Sequence, residues 1–410
     1  MMPGNDVAPV KAKWIGAFVA TLLAMMTLQT ASLGFSPLLP AIQHEFQMSF
    51  SQLGLFTGAY GLLAIVFSVP AGLLVKRFGE RPVLSVGLVG VICGLGLLAI
   101  ASSFGHAFVG RLVWIGGYRL AFVSVLAALA STCPPALRGR TMGILGAVSS
   151  LASVLGAPFG GKLSVHLGWR GGIAGFACLA GLGLVAFLIF YRRPVEPGRE
   201  TGAPARTEAH AGVSAFRHPR VWALALFSGL VGIPAFGATF FAPSAARIAF
   251  HLDAVSTAWM ISLGYMLAIV LNLLVGYLVD HYDQWVVLPV LVGCGVPCAL
   301  AMNSQSLGVF RTGTALLIAI SFSAVIQSYG LASEVLRGRQ VGNVMGILSL
   351  GAGLTGYLGP QVLGILRDKT GSFAAGWYVM AAVSAVTCVE LILLGRTAAR
   401  TVASESTLLS

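Results

Sequence analysis

The chain has 410 residues, of which 57% are hydrophobic and only 9% are charged, and this balance excludes a water-soluble globular protein. The formal net charge is +12, but Lys and Arg are scattered between apolar runs rather than massed on one domain, which argues against a nucleic-acid-binding protein. The apolar runs are continuous over about 20 residues, so they predict membrane-spanning α-helices rather than the alternating strands of a β-barrel.

Taken in chain order, apolar runs separated by polar or Pro/Gly/Ser-rich breaks predict twelve membrane spans. The first run is longer than the core of a signal peptide, and we expect it to remain as the first membrane helix. The predicted spans cover residues 14–37, 50–75, 82–102, 107–131, 141–164, 171–191, 221–245, 256–279, 285–304, 307–333, 341–365 and 373–396.

Residues 192–220, between the sixth and seventh spans, are polar, basic and rich in Pro and Gly, which predicts a solvated linker. We therefore predict an all-α membrane protein with twelve transmembrane helices in two pseudo-symmetric six-helix bundles. The bundles are assigned to residues 1–191 and 221–396, the cytoplasmic linker to 192–220 and a cytoplasmic tail to 397–410.

The distribution of Lys and Arg predicts the orientation of these helices. With a cytoplasmic N-terminus, 17 basic residues fall on the cytoplasmic side and 5 on the outer side, and the remaining 3 lie within spans. Because positive loops stay inside, this asymmetry predicts a multi-pass protein of the cell inner membrane with both termini in the cytoplasm.

The two halves of the sequence repeat one another. The stretch that begins Arg138-Gly-Arg140 and continues with Met142-Gly-Ile-Leu recurs as Arg337-Gly-Arg339 and, after a short insertion, Met345-Gly-Ile-Leu, so that the two methionines are 203 residues apart. Two duplicated helical bundles can rock against each other about a central site. The repeat therefore predicts a transporter that works by alternating access.

Residues 72–81 read GLLVKRFGER, which is similar to the pattern G-x-x-x-D-R/K-x-G-R/K-R/K between the second and third helices of the major facilitator superfamily. Here Lys76 stands in place of the acid, whereas the second copy, residues 276–283, keeps the acid as Asp280. The resemblance extends over nearly the whole chain. It implies two rocking bundles, a small-molecule substrate, and a cavity lined by the first, fourth, seventh and tenth helices.

The same loops imply a gate on the cytoplasmic side, in which an acid at a helix end pairs with basic residues of a neighbouring helix. We predict Asp280, together with Arg138 or Arg140 and with Arg77 of the first loop, as the gating residues. The alternative is that these charges serve only to set the topology.

Three arginines lie within predicted spans: Arg111 and Arg119 in the fourth and Arg311 in the tenth. A charge near the bilayer centre costs about 2.5–3.5 kcal/mol on insertion scales, so it usually faces the bundle interior and marks a pathway. Arg119 lies about 12 residues into its span, roughly 18 Å deep at 1.5 Å per residue. We predict that Arg119 makes the central substrate contact, and the alternative is an internal pair with a carbonyl or an acid.

Arg111 and Arg311 precede Arg138 and Arg337 by 27 and 26 residues, so they occupy near-equivalent positions in the two halves. We predict that they guide or bind the substrate on the outer side of the cavity, and the alternative is that they snorkel to the outer interface. Eight neutral polar residues within the spans are candidate ligands, and the alternative for each is an interhelical hydrogen bond or a packing role. These residues are Gln29, Thr30, Tyr60, Tyr118, Tyr265, Asn272, Gln327 and Tyr357, of which Tyr118, Gln29 and Gln327 are assigned to the substrate site.

The acidic residues decide the sign of the predicted substrate. Of the 13 acids, 11 lie in loops, tails or helix ends, Glu334 lies at the cytoplasmic end of the tenth span, and Glu390 is inside the twelfth. A cavity with arginines and no central carboxylate favours an anion, because guanidinium binds carboxylate, sulfonate, nitrate or phosphate oxygens in bidentate fashion.

The sequence thus predicts a monomeric secondary transporter of a small organic or inorganic anion, with a proton or a second anion as the candidate coupling ion. One alternative is a hydrophobic-drug efflux pump, because residues 156–161 (GAPFGG) resemble the glycine motif of the family's antiporters. Another is a membrane assembly factor or receptor that does not transport. An enzyme is not predicted, since no nucleotide loop, metal-ligand cluster or nucleophile–base pair is found, and no cofactor or metal is expected.

Overall fold

The computed structural model of the chain describes residues 7–132, 138–191, 219–335 and 341–408, in which every regular element is a helix and the helices are joined by short turns. Side chains are described for a smaller set, which omits residues 7–15, 68–69, 130–143, 219–220, 329–330, 332–350, 352 and 398–408. The α-helices of this part of the chain are α1 (Val7–Gly34), α2 (Leu39–Glu45), α3 (Phe50–Phe78), α4 (Glu80–Ala99), α5 (Phe104–Thr132), α6 (Arg138–Phe190), α7 (Pro219–Val231), α8 (Ile233–Phe250), α9 (Ala254–His281), α10 (Gln284–Gly293), α11 (Gly295–Ala301), α12 (Leu307–Val335), α13 (Val341–Thr370) and α14 (Ala374–Leu408). This is an all-α membrane protein, as predicted.

Most predicted spans correspond to one helix each, and the exceptions have local causes. The fifth and sixth spans both lie within α6, whose apolar part from residue 144 to 190 is 47 residues long and consists of two helices joined at Gly168. At 1.5 Å per residue this would be about 70 Å, more than twice the hydrocarbon thickness of roughly 30 Å. The two helices meet at Gly168, where φ is 67° and ψ is 175°, a conformation that favours glycine. The seventh span is divided into α7 and α8 just before Pro234, which lies in the first turn of α8. The ninth span is divided into α10 and α11 at Cys294.

Ten helical segments of the described residues are long and apolar enough to cross a membrane, and α6 counts once among them. Their Leu, Ala, Val and Gly content suits this role, because a helix pairs all its backbone groups internally where no water is present. Large apolar side chains remain exposed along these helices, among them Leu273 at 75% and Leu182 at 68%. An apolar outer surface of this kind is what contact with lipid requires.

Small residues hold several helices close together. A Cβ added at Gly94 of α4 would lie 2.1 Å from the backbone nitrogen of Trp114 in α5, and one at Gly34 of α1 would lie 2.5 Å from the carbonyl carbon of Gly156 in α6. No larger residue fits either position without movement of the backbone. Such contacts are typical of membrane helices, whose association depends on close packing rather than on burial from water.

Contacts between residues divide the chain into two units. The first contains α1, α2, α4, α5 and α6, with α3 from Leu63 onwards and α9 up to Ser262. The second contains α7, α8 and α10 to α14, with the beginning of α3 up to Leu62 and α9 from Leu263 onwards. Fully buried aromatic side chains form the core of each unit: Trp114, Phe176 and Phe187 in the first, and Phe227, Phe240 and Trp377 in the second.

Candidate functional site

Arg119 lies in α5, 15 residues after Phe104, which places it about 22 Å along the helix. Its side chain is partly buried, and the guanidinium carbon lies 5.6 Å from the centre of the Tyr118 ring, within the range of a cation–π interaction. The residue therefore combines a deep position in an apolar helix with some remaining accessible surface. A substrate contact at Arg119 stays a prediction.

Tyr118 and Gln29 are brought together within the first unit. The Tyr118 hydroxyl donates a hydrogen bond to the Gln29 side-chain oxygen and thereby connects α5 to α1. The Tyr118 ring is 2% exposed and stacks on Phe122, with ring centres 5.9 Å apart, whereas Gln29 is only partly buried. Tyr118 and Gln29 thus form a hydrogen bond between two helices, and of the two side chains Gln29 is the more accessible.

Arg111 lies in an aromatic enclosure in the same unit. Its guanidinium carbon is 4.1 Å from the centre of the Phe35 ring and 4.3 Å from that of Trp114, and the two rings pack edge to face at 5.2 Å. The residue is 1% exposed, so it offers almost no surface to a substrate in this structure. Its surroundings are those of a cation that stabilises the packing between α5 and the segment after α1.

Arg311 and Gln327 both lie in α12, where both are partly buried. The Nε atom of Arg311 is buried and has no hydrogen-bond partner among the described residues. The two residues are 16 positions apart, or about 24 Å along the axis at 1.5 Å per residue. A single small anion cannot contact both, so the predicted set does not converge as a whole.

The predicted gate lies largely outside the described side chains. Arg138 and Arg140 belong to the first turn of α6, and their side chains are outside the described residues. Asp280 is exposed near the end of α9. Arg77 is exposed near the end of α3, with its guanidinium carbon 5.2 Å from the Phe78 ring centre.

Two acidic residues have surroundings that bear on the charge of the interior. Glu80, at the first position of α4, is only 6% exposed and accepts a hydrogen bond of 3.0 Å from the Tyr191 hydroxyl. Its burial was not apparent from the sequence, which places it beside a cytoplasmic loop. Glu390 in α14 has both carboxylate oxygens buried and without a hydrogen-bond partner in the described part of the chain.

The second unit contains a cluster of aromatic side chains that the sequence did not predict. Two of its members, Tyr60 and Tyr265, are candidate ligands in the sequence. Phe236 of α8 has its ring centre 5.8 Å from that of Tyr60 in α3, 5.6 Å from Phe322 in α12 and 6.2 Å from Phe240. Tyr265 of α9 lies 5.1 Å from Phe322, and its hydroxyl is 3.2 Å from the Thr239 hydroxyl. The sequence repeat draws attention to one member of the cluster, because Phe322 lies 203 residues after Arg119 and the repeated methionines are separated by the same number.

Comparison with known proteins places the chain among membrane transporters. A family model described as Major Facilitator Superfamily matches residues 14–329. The chain is 30% identical over 378 residues to monocarboxylate transporter 11 of Mus musculus, an alignment that covers 85% of this chain and 79% of that protein. It is 26% identical over 383 residues to the class B tetracycline resistance protein of Escherichia coli, covering 88% and 90% of the two chains.

Other matches are shorter or show only the fold. An MFS-type transporter of Claviceps purpurea and an uncharacterised one of Bacillus subtilis are each matched over 30% of their own length. Among solved structures, a bacterial homologue of the human lysosomal transporter Spinster, in an inward-facing and occupied conformation, superposes with a TM-score of 0.74. The two chains are 16% identical, and the match covers 92% of this chain and 94% of the other.

Proposed function

The chain belongs to the Major Facilitator Superfamily, and we propose that this member of that family of alternating-access transporters carries a small anion. The proposed substrate is an organic carboxylate or sulfonate or an inorganic oxyanion. The observation that carries the proposal is Arg119, a partly buried arginine about 22 Å along α5.

The chemistry of arginine supports an anion at this position. A guanidinium group remains charged at any physiological pH, and its planar donors match the oxygens of a carboxylate or sulfonate. A charge placed deep in a membrane helix is costly, and it is kept where it meets a pathway or a partner. The name of the relative monocarboxylate transporter 11 also denotes an anionic substrate.

The remaining parts of the proposal concern the neighbours of the site, the gate and the setting. Gln29 and Tyr118 orient the substrate beside Arg119. Arg311 and Gln327 bind the substrate at other depths along α12. Arg111 supports α5 by packing. Asp280 pairs with Arg138 or Arg140, assisted by Arg77, to close the cytoplasmic side. The protein is a monomer of the inner membrane with both termini in the cytoplasm, and a proton or a second anion is the coupling ion.

The test is counterflow in proteoliposomes with labelled carboxylates, sulfonates and oxyanions, together with ligand-induced shifts in thermal unfolding. Arg119→Gln should lose at least tenfold in transport and affinity, because removal of one partner of a charge-assisted contact costs about 1.5–3 kcal/mol. Arg247→Gln, at the exposed outer end of α8, is the matched control and should transport normally. Intact transport by a well-folded Arg119→Gln variant contradicts the assignment.

Hydrophobic-drug efflux is the second candidate, and two observations favour it. One relative is a tetracycline resistance protein. Glu390 provides a buried carboxylate in a membrane helix, and ionisable groups at such depth are by default functional candidates. A resistance screen in a pump-deficient host separates the candidates, because anion transport predicts no broad protection against lipophilic cations.

A further inference from the structure

We infer that Glu390 in α14 is a proton-binding site, which holds a proton while the helices of the second unit are packed as in this structure and releases it to the cytoplasm when that packing loosens. The inference goes beyond the proposed function, because anion transport makes no use of this carboxyl group and the argument holds for a substrate of any charge. The observation that carries it is the enclosure of both carboxylate oxygens within a membrane helix bundle.

Glu390 lies in the cytoplasmic half of the last membrane span. That span runs from Ala374 to Thr397, so Glu390 is 16 residues from its outer end and 7 residues from its cytoplasmic end. At 1.5 Å per residue these separations are about 24 Å and about 10 Å. Arg396 and Thr397 are both exposed. The shorter route from the carboxyl group to water therefore leads to the cytoplasmic side that the topology predicts for this end of α14.

The side chain lies at the edge of the lipid-facing stripe of α14. At 100° per residue, Val386 and Leu393 lie on one side of it around the helix, and both are more than half exposed. Thr387 and Leu391 lie on its other side, and both are fully buried. Glu390 is thus placed between lipid and packed helices, and its oxygens are shielded from water.

The carboxyl group is not neutralised by a neighbour in the described part of the chain. Its oxygens have no hydrogen-bond partner among the described residues, and Glu390 forms no ion pair with any of them. The hydroxyl of Thr387, one turn away, donates instead to the Val383 carbonyl at 2.7 Å. The cost of burying the carboxylate is therefore not offset by a bond to these side chains.

The helices packed against α14 also provide no cation for this group. They are α7, α8, α10, α11 and α13. Their described ionisable side chains and those of α14 lie towards the outer ends (Arg247, His251, Arg367, Asp368, Lys369 and Tyr378), at middle depth (Cys294, Cys298, Tyr357 and Cys388) or at the cytoplasmic end (Asp283 and Arg396). The side chains of Arg220, Arg400 and Glu405 are outside the described residues. At middle depth, the described groups thus include thiols and a phenol but no Lys or Arg.

Such surroundings favour the neutral form of the carboxyl group. An ionised carboxylate in an apolar site without a partner is so costly that the group takes up a proton instead. A metal ion would need several further oxygen ligands, and the described residues contain no cluster of three or more acidic, histidine or cysteine side chains suited to a metal. A proton needs only the one carboxyl group. Its loss would leave an unpaired charge between packed helices, so proton release and loosening of this packing are linked.

The first experiment is infrared difference spectroscopy of the full-length protein in lipid, which separates the carbonyl stretch of a protonated carboxyl group from the bands of a carboxylate. Wild-type protein at neutral pH should show a protonated band equal to one carboxyl group per chain, and Glu390→Gln should lose it. Asp253→Asn is the matched control and should keep the band. Asp253 is exposed, and hydrogen bonds from Ser256 hold its pKa below the ordinary value, so it is already ionised.

The second experiment compares thermal unfolding of wild type and Glu390→Gln as the pH is raised. The folded wild-type protein should bind more protons than the unfolded chain, so its stability should fall with rising pH, whereas the amide stays neutral. The unfolding temperature of Glu390→Gln relative to wild type should therefore rise by about 2 °C or more between about pH 6 and about pH 9. Asp253→Asn should show no such rise.

The inference is overturned if wild-type protein has no protonated carboxyl band at neutral pH, or if Glu390→Gln leaves that band unchanged. It is also overturned if Glu390→Gln unfolds at a lower temperature than wild type at every pH, because the charged form would then be the one that stabilises the packing. Counterflow of anions that depends on Arg119 tests the proposed function separately, so either conclusion can fail while the other stands.

Discussion

At the scale of single residues, the two arginines of α5 have different surroundings and therefore different expected roles. Arg111 is 1% exposed between the rings of Phe35 and Trp114, whereas Arg119 is only partly buried and has the Tyr118 ring beside it. A cation between two desolvated rings contributes about 2 kcal/mol or more to stability. We therefore expect substitution of Arg111 to affect stability more than transport, and substitution of Arg119 to affect transport more than stability.

We predict that Arg111→Lys lowers the midpoint of thermal unfolding in detergent, with a loss of about 1–2 kcal/mol in the free energy of unfolding. Lysine keeps the charge but lacks the flat guanidinium that stacks on both rings. Arg77→Lys is the control, because Arg77 is exposed and its guanidinium lies 5.2 Å from the ring of Phe78. Equal unfolding temperatures for the two variants would show that the aromatic enclosure of Arg111 does not stabilise the fold.

The sequence identified the arginines but not the aromatic cluster, for a physical reason. A charge is rare in an apolar run and costly there, so Arg119 is conspicuous without any structure. Phe236 and Phe322 are ordinary residues in such a run, and only their ring distances reveal that they meet. The burial of Glu80 was missed for a related reason, since a charge next to a loop is usually solvated.

At the scale of helices, the beginning of α3 is capped by a residue distant in sequence. The Asp368 carboxylate, near the end of α13, accepts hydrogen bonds of 2.9 and 2.7 Å from the backbone N–H groups of Phe50 and Ser51. These are among the N–H groups that lack a partner within a helix. Burial by itself raises the pKa of Asp368, but the hydrogen bonds from Ser51 and Phe50 outweigh it, and the pKa lies below its ordinary value of 3.8.

We predict that Asp368→Ala lowers the free energy of unfolding by about 0.5–2 kcal/mol, the usual effect of removing an N-cap. Because the folded pKa is lowered, the stabilisation is fully present above pH 3.8 and is lost as the pH falls through the folded value. Thermal unfolding of wild type and variant should therefore differ at neutral pH and converge in acid. Lys369→Ala, which removes the exposed neighbouring side chain, should show no such convergence.

The elements themselves were largely predictable, because an apolar run must form a helix to satisfy its backbone in lipid. The ends of the helices were less predictable. The predicted gap between residues 164 and 171 is helical apart from the break at Gly168, since a helix can continue into a polar loop at little cost. The cap of α3 could not be foreseen, because it joins residues 317 positions apart and hydrophobic periodicity carries no information about such a contact.

At the scale of the whole molecule, α9 separates two loops that the topology places on opposite sides of the membrane. It runs from Ala254 to His281, and 28 residues at 1.5 Å give about 42 Å, enough to cross a hydrocarbon core of roughly 30 Å. Asp253 precedes it and Asp283 follows it, and both are exposed. The excess of Lys and Arg in the loops of one side predicts that Asp253 faces outwards and Asp283 the cytoplasm.

We predict that Asp253→Cys reacts with a membrane-impermeant maleimide in intact cells, and that Asp283→Cys reacts only after permeabilisation. The six native cysteines must be replaced first, since Cys93, Cys178 and Cys294 are exposed. The two positions are a matched pair, because Asp253 accepts from the Ser256 N–H at 3.0 Å and Asp283 from the Trp285 N–H at 2.9 Å, so each substitution removes a cap of the same kind. A difference in labelling therefore reports the side of the membrane rather than local unfolding. Reversal of the pattern would place both termini outside, and labelling of both sites in intact cells would mean that α9 does not span the bilayer.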